Sequence, residues 1–282
     1  MAQNLGTYYC FFPVRDGERT VAQVMESLLA QTHRPSKIIA VNDGSADRTG
    51  EILDQYQKKH PGLVEVINTG STTRDYKRIP LLWNMSLRKG YDYHMIAAGD
   101  VSFAPDYAEK ILLAMKDREM VICSGDYGGA RSVAPHGAGR FVRQSFFFDN
   151  YDQYPHVVGY ESEILERALL QGKKISVVHD ATFDHLDRLG HSHNFVEFGY
   201  AMKALGYYAP YVLGRCVKEF VRNGQVGRRG AWNMFYYYMT FKPKPEGYFS
   251  LFPEDLRRGI RERQKKMVRR VILKKLVPAL KG

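Results

Sequence analysis

Residues 38–49 read IIAVNDGSADRT. A continuous Ile/Val run of this kind marks a parallel strand buried on both faces. The run ends in Asn-Asp-Gly-Ser, where Gly44 supplies the backbone freedom for a sharp turn. A helix is expected next, with apolar positions at Ile52, Leu53 and Tyr56 and with Ser45 or Asp47 as its cap. Asn42 and Asp43 then stand above the carboxyl end of the strand, in the crevice where α/β proteins bind ligands. A carboxylate in that place suits the polar edge of a nucleotide base.

Working outward, strands are expected at Tyr8–Phe12, Lys37–Val41, Val64–Ile67, Tyr93–Ala98 and Met120–Ser124. Helices are expected between them: from an Asp16 cap to about Gln31, onward to about Lys59, around Leu81–Arg88, and over Pro105–Lys116 with Asp106 as cap. Such alternation predicts a parallel, doubly wound sheet. After Ser124 it stops, and GDYGGARSVAPHGAGRFVRQSFFF reads as loops or an irregular hairpin. A helix at Glu161–Gln171, a strand at Lys174–Val178, a His-rich loop over 179–193 and a helix to about Leu205 follow. The Tyr-rich stretch 232–241 and a basic helix from about Pro253 to Leu280 complete the chain.

The 282 residues are 44% hydrophobic and 13% aromatic, as in a folded globular chain. No window approaches the roughly 18 consecutive apolar residues of a membrane span. MAQNLGTYYCFF lacks a basic n-region, so no signal peptide is expected. Cys10, Cys123 and Cys216 are too few and too scattered for a disulfide framework or a zinc site, which fits a reducing cytoplasm. Net charge is +11, yet Glu254–Gly282 alone holds eleven Lys/Arg against three Asp/Glu. That tail interleaves Leu256, Ile260, Met267, Val271 and Leu276. It can lie on an anionic inner leaflet as a peripheral anchor, or simply pack or stay solvated. No nucleic-acid motif accompanies the charge, so no nucleic-acid partner is expected.

Five further groups carry chemistry. Pro13-Val14-Arg15-Asp16-Gly17-Glu18 closes the first strand; its bland reading is a capped helix start. Ala97-Ala98-Gly99-Asp100 precedes Val101-Ser102-Phe103-Ala104-Pro105-Asp106-Tyr107. A carboxylate at Asp100 either ligates a hard divalent cation or caps a turn. Gly159-Tyr160-Glu161-Ser162-Glu163-Ile164 is followed by Arg167 and Gly172. Its acids either touch substrate or only favour the first turn of a helix. His179, His185, His191 and His193 crowd fifteen residues, out of nine His in the chain. Imidazole suits Mn²⁺ better than Mg²⁺, but a structural hydrogen bond is the alternative for each. Arg74, Lys77 and Arg78 lie in a loop where they face phosphate or water. Trp232, Phe235, Tyr236, Tyr237, Tyr238 and Phe241 form either a sugar platform or a packed aromatic helix.

From Tyr8 to His185 these strings resemble glycosyltransferase family 2. NDGS matches the family's VVDDGSTDGT, with Asn42 in place of its first Asp. The first group resembles P-x-x-N-x-E, with Asp16 for Asn. The Asp100 loop resembles D-A-D-x-x-x-x-P-D-Y, with Ala98 where the first Asp stands. Glu161–Gly172 resembles G-E-D-x-E-L…R…G, with Glu161 in place of the catalytic Asp. The resemblance implies a GT-A type α/β fold: a Rossmann-like, mostly parallel sheet flanked by helices, over residues 1–205. Residues 206–282 are then a helical, aromatic and basic C-terminal extension. It also implies an inverting transfer from a UDP- or GDP-sugar to a glycan, lipid-linked or protein acceptor, assisted by Mn²⁺ or Mg²⁺. Pro13, Arg15, Asp16, Glu18, Asn42, Asp43, Arg78, Asp100 and Glu163 would bind the nucleotide sugar. Asp100 and His185 would hold the metal, and Glu161 would be the general base. The eroded acids leave a non-catalytic nucleotide-sugar-binding or scaffold protein as the alternative. A nucleotidyltransferase would need a triphosphate loop near the first strand, and none is found.

Overall fold

The apolar run at Ile38 is a strand, and it is buried from Ile38 through Asn42. A computed structural model describes residues 4–128, 131–187, 195–222 and 226–279, with the backbone alone over 272–279. The elements begin with β1 (Tyr8–Val14), α1 (Val21–Leu29), β2 (Lys37–Asn42), α2 (Thr49–Lys59) and β3 (Val64–Asn68). A single 3-10 turn (Tyr76–Arg78) leads to α3 (Ile79–Met85), β4 (Tyr93–Ile96), β5 (Val101–Phe103) and α4 (Tyr107–Ala114). Next come β6 (Met120–Tyr127), β7 (Arg140–Arg143), α5 (Gln144–Asn150), α6 (Tyr160–Leu170) and β8 (Lys174–His185). The chain continues with α7 (Val196–Ala204), α8 (Ala209–Arg222), α9 (Gly227–Thr240) and α10 (Glu254–Ala279).

The chain divides into two compact units. The first runs to Tyr154 and resumes from Gly172 through β8. Its eight strands form one sheet in the order β3-β2-β1-β4-β7-β6-β8-β5. Six strands run one way, and only β7 and β5 oppose their neighbours. β1 lies centrally, flanked by β2 and β4 in parallel, with Tyr8 through Phe12 fully buried. α1 covers it with Val21, Val24, Met25 and Leu28, spaced i, i+3, i+4 and i+7. Each such side chain contributes about 1.5–3 kcal/mol by leaving water. The second unit holds α6 with α7–α10. In it Glu166 is buried, accepting from Tyr207 Oη at 2.8 Å and pairing with Arg263. The first half of α10 packs through Leu256, Ile260 and Gln264, one turn apart.

Several expectations need correction. Asp16 does not cap α1, which starts at Val21 after an N-cap Thr20. Asp16 takes a left-handed φ of 52° and turns its carboxylate to the next loop, accepting from Ala46 N at 2.9 Å. Asp106 precedes α4 without capping it and pairs with Lys110 at 2.9 Å instead. Of the two readings of the stretch after Ser124 the hairpin is the one found, β6 running on to Tyr127 and pairing antiparallel with β7, but α5 follows where no helix was expected. β8 extends seven residues past Val178 to His185, so His179 is in a strand. His191 and His193 lie outside the described residues.

Candidate active site

Because β1, β2, β4 and β8 are parallel or run the same way, their carboxyl ends share one edge of the sheet. The ends of β1 and β2 are stitched together. Ser45 Oγ accepts from Asp16 N (3.0 Å), Thr49 Oγ1 from Gly17 N (2.8 Å), and Asp47 Oδ2 from Glu18 N (3.0 Å). Glu18 Oε2 accepts in return from Arg48 N at 3.2 Å. Neither Ser45 nor Asp47 is the N-cap of α2, which is Arg48 with no side-chain cap bond; Asp47, one residue earlier, accepts from Thr49 N at 3.0 Å. Pro13 lies half-buried opposite Val41 in this edge.

Asn42 is buried and donates from Nδ2 to Asn68 Oδ1 at 2.8 Å, while its Oδ1 accepts from Ser45 N at 3.2 Å. Asp43 is buried as well. It accepts from Arg78 Nη2 (2.7 Å), from Arg78 Nε (3.1 Å) and from Thr69 Oγ1 (2.8 Å). Burial works against its charge, but the bonds from Arg78 and Thr69 outweigh that and hold its pKa below the usual carboxylate value. Arg15 donates to the carbonyls of Asp43 (2.9 Å) and Thr73 (2.8 Å), fastening the loop after β3 over the NDGS turn. Gly44 sits at the closest point. Its φ is 70°, and a Cβ there would meet Ser71 O at 1.9 Å.

Asp100 follows β4 in a tight turn against β1. Thr20 Oγ1 donates to Gly99 O at 2.7 Å, and a Cβ on Gly99 would strike Val14. β5 leaves this turn and pairs antiparallel with β8, Val101 opposite His185. Leu186 N donates to Asp100 O at 2.7 Å, and His185 Nδ1 comes to 3.4 Å from Asp100 Oδ2. The carboxylate is 37% exposed and the imidazole 12%. Among the described residues no set of three His, Cys, Asp or Glu is placed to hold a metal.

Sequence reasoning missed Asp126 at the end of β6. It is buried, lies 2.5 Å from His179 Nδ1, and accepts from Ser132 N at 2.9 Å. Burial again opposes its charge and the His179 and Ser132 bonds prevail, lowering its pKa. Tyr127, beside it, meets the His185 ring edge-on at 4.9 Å. The signal was available: Asp126 ends an apolar strand just as Asp43 does.

In the second unit, Glu161 is half-buried in the first turn of α6, within 3.4 Å of Tyr160 Oη. Glu163 is buried and bonded to Arg167 Nε at 2.8 Å. Tyr236, Tyr237 and Phe241 of the aromatic stretch line a cavity of about 370 Å³, with Tyr200, Phe249, Thr240, Lys242 and Lys244. Tyr238 is buried instead.

Among curated proteins, none matches the sequence. The family model described as Glycosyl transferase family 2 matches residues 10–162. Solved structures match at low identity and bear on the fold. The mannosyltransferase PcManGT from Pyrobaculum calidifontis, solved with GDP-Man and Mn²⁺, superposes with a TM-score of 0.59 at 11% identity, over 83% of this chain and 70% of that one. S. aureus TarS 1-349 with UDP-GlcNAc gives 0.54 at 14%, over 83% and 71%. GalNAc-T7 with UDP, GalNAc and Mn²⁺ gives 0.60 at 15%, over 84% of this chain and 56% of that one. The expectation of a GT-A type α/β fold is met.

Proposed function

Because the chain belongs to glycosyl transferase family 2, we propose that it is an inverting enzyme that moves a sugar from a UDP- or GDP-sugar to an acceptor hydroxyl or lipid phosphate. The observation that carries this reading is the shared carboxyl edge of the sheet, which carries two polar pairs, Asp43 with Arg78 after β2 and Asp100 after β4 with His185 at the end of β8. Solved proteins of like fold carry GDP-Man, UDP-GlcNAc or UDP. Residues 1–205 are read as the transferase domain and 206–282 as its extension.

Pro13, Arg15, Asp16, Glu18, Asn42, Asp43 and Arg78 would shape the nucleotide pocket. Most of their polar side chains already bond neighbouring loop residues, so they act by fixing the loops rather than by waiting loose for ligand. Arg78, held beside Asp43, keeps donors in a planar fork that suits phosphate oxygens. Glu163 would contribute through the Arg167 it orients.

Asp100 and His185 fit a divalent ion. One hard oxygen and one imidazole nitrogen 3.4 Å apart can both be reached by bonds of about 2.1 Å. When bound, Mn²⁺ or Mg²⁺ would neutralise charge on the departing diphosphate.

Glu161 is the proposed base. It stands in the first turn of α6, half-buried. It would take the proton of the acceptor hydroxyl as that oxygen's lone pair attacks the anomeric carbon. The bond from that carbon to the phosphate oxygen breaks, its electrons leave with the nucleoside diphosphate, and the configuration inverts. Glu161→Gln should retain nucleotide binding and lose transfer by about 10²–10⁴-fold. Normal turnover in that variant would remove Glu161 from the role.

Three free, buried cysteines suit a reducing compartment. Among the described residues no helix is long and apolar enough to cross a membrane. The cationic α10 would hold the enzyme at an anionic cytoplasmic leaflet, near a lipid-linked acceptor.

A further inference from the structure

α8 and α9 in the second unit carry an apolar face that the unit leaves uncovered. On α8, Leu213, Val217, Phe220 and Val221 are 49%, 53%, 47% and 74% exposed. Their spacing, i, i+4, i+7 and i+8, places them on one side of the helix. The helix packs on the unit through Val212 and Cys216 instead. On α9, Arg228, Trp232 and Tyr236 form a second row one turn apart, with Trp232 63% exposed. Arg228 stands over the Phe220 ring at 5.7 Å, so the two rows meet near the end of α8 and the start of α9.

The surroundings of this face select its occupant. Residues 209–240 carry five Lys/Arg and one Asp/Glu. Aliphatic and Phe side chains on α8, Trp232 and Tyr236 on α9, Arg228 over Phe220 and a net positive charge on the two helices match a helix pair lying in a headgroup boundary. Against a second copy the same cations would meet each other across a two-fold interface, where like charges repel. We propose that the α8–α9 hairpin is a membrane-inserting face that seats the chain in an anionic lipid bilayer. This goes beyond the electrostatic attachment proposed for α10, because here apolar side chains enter the bilayer and the contact persists in high salt.

The chain supplies its own probe. It has two tryptophans; Trp83 is 4% exposed in the other unit, and Trp232 sits in the proposed face. The full chain would be mixed with vesicles of phosphatidylcholine alone or with added phosphatidylglycerol. With the anionic vesicles, Trp232 emission should shift to the blue, resist acrylamide and be quenched by brominated lipid. The shift should survive high salt better than the initial binding rate does, and survive a chain shortened after Met267. A Val217→Asp, Val221→Asp double variant should lower vesicle affinity at least about tenfold while leaving binding of the UDP or GDP nucleotide unchanged. Both positions face water, so folding does not depend on them. Failure of Trp232 to respond to either vesicle overturns the proposal. So does loss of all binding in the shortened chain, which leaves attachment to α10 alone. A blue shift on concentrating the protein without lipid gives the face to a second copy. Because donor binding is read separately, a failed seat leaves the transferase reading standing, and the reverse.

Discussion

At the scale of single residues, Gly44 is the most constrained position in the site. It needs a left-handed φ and has Ser71 O where a side chain would begin. Gly44→Ala should cost about 1–3 kcal/mol or more in urea unfolding, and should weaken donor binding with it. His94 makes a different prediction. It is fully buried in β4, bonded through Nε2 to Tyr154 Oη at 2.7 Å, and burial pushes its pKa down to about 3. Between that value and the ordinary 6.5 the unfolded chain holds a proton that the folded chain refuses. Stability therefore falls as pH drops through this window, by up to about 1.4 kcal/mol per unit from this one group. Urea midpoints between pH 7 and 4 should decline in the native chain and flatten in His94→Asn. The lowered pKa of Asp43 acts elsewhere: its contribution is complete above the unfolded value and is lost only in stronger acid. Asn42 shows what a linear reading reaches. That the position matters is plain from NDGS. That it must donate is not, because its acceptor, Asn68, lies 26 residues away on β3.

At the scale of elements, the site depends on a loop held from outside. Arg15, at the end of β1, donates to carbonyls at Asp43, Ser71, Thr72 and Thr73. Arg15→Lys cannot reproduce a planar fork shared among several carbonyls. We expect limited proteolysis to cut within residues 69–76 in that variant and not in the native chain, with nucleotide affinity lowered about tenfold. The long, strongly patterned elements were readable: β1, β2, α1, α2 and α6 fall within a few residues of their expected ends, apart from the late start of α1. The elements that escaped are short or set by tertiary pairing. β5 has three residues and β7 four, too few to show a period, and each is defined by an antiparallel neighbour distant in sequence. α8 escaped because its apolar positions belong to two faces, one packed on its unit and one exposed, which blurs the single stripe expected of a packed helix.

At the scale of the whole molecule, the net charge of +11 belongs to the C-terminal third of the sequence, which follows the strands whose ends carry the carboxylates. Family and fold are readable because family motifs sit at strand ends, where an α/β sheet has its ligand crevice. Acceptor and donor sugar are not, because they depend on side chains drawn from several loops and not on any one string. The contest between a working transferase and a silent relative of the same fold turns on Asp100. The measurement that decides it is calorimetric titration of a UDP- and GDP-sugar panel, with and without Mn²⁺, into the native chain and into Asp100→Ala. We expect one donor to bind in a metal-dependent way, with its affinity reduced at least about tenfold in Asp100→Ala while the unfolding curve of that variant stays native-like. Donor binding that ignores both Mn²⁺ and the Asp100 carboxylate, or no binding by any nucleotide sugar, would contradict a metal-assisted transferase.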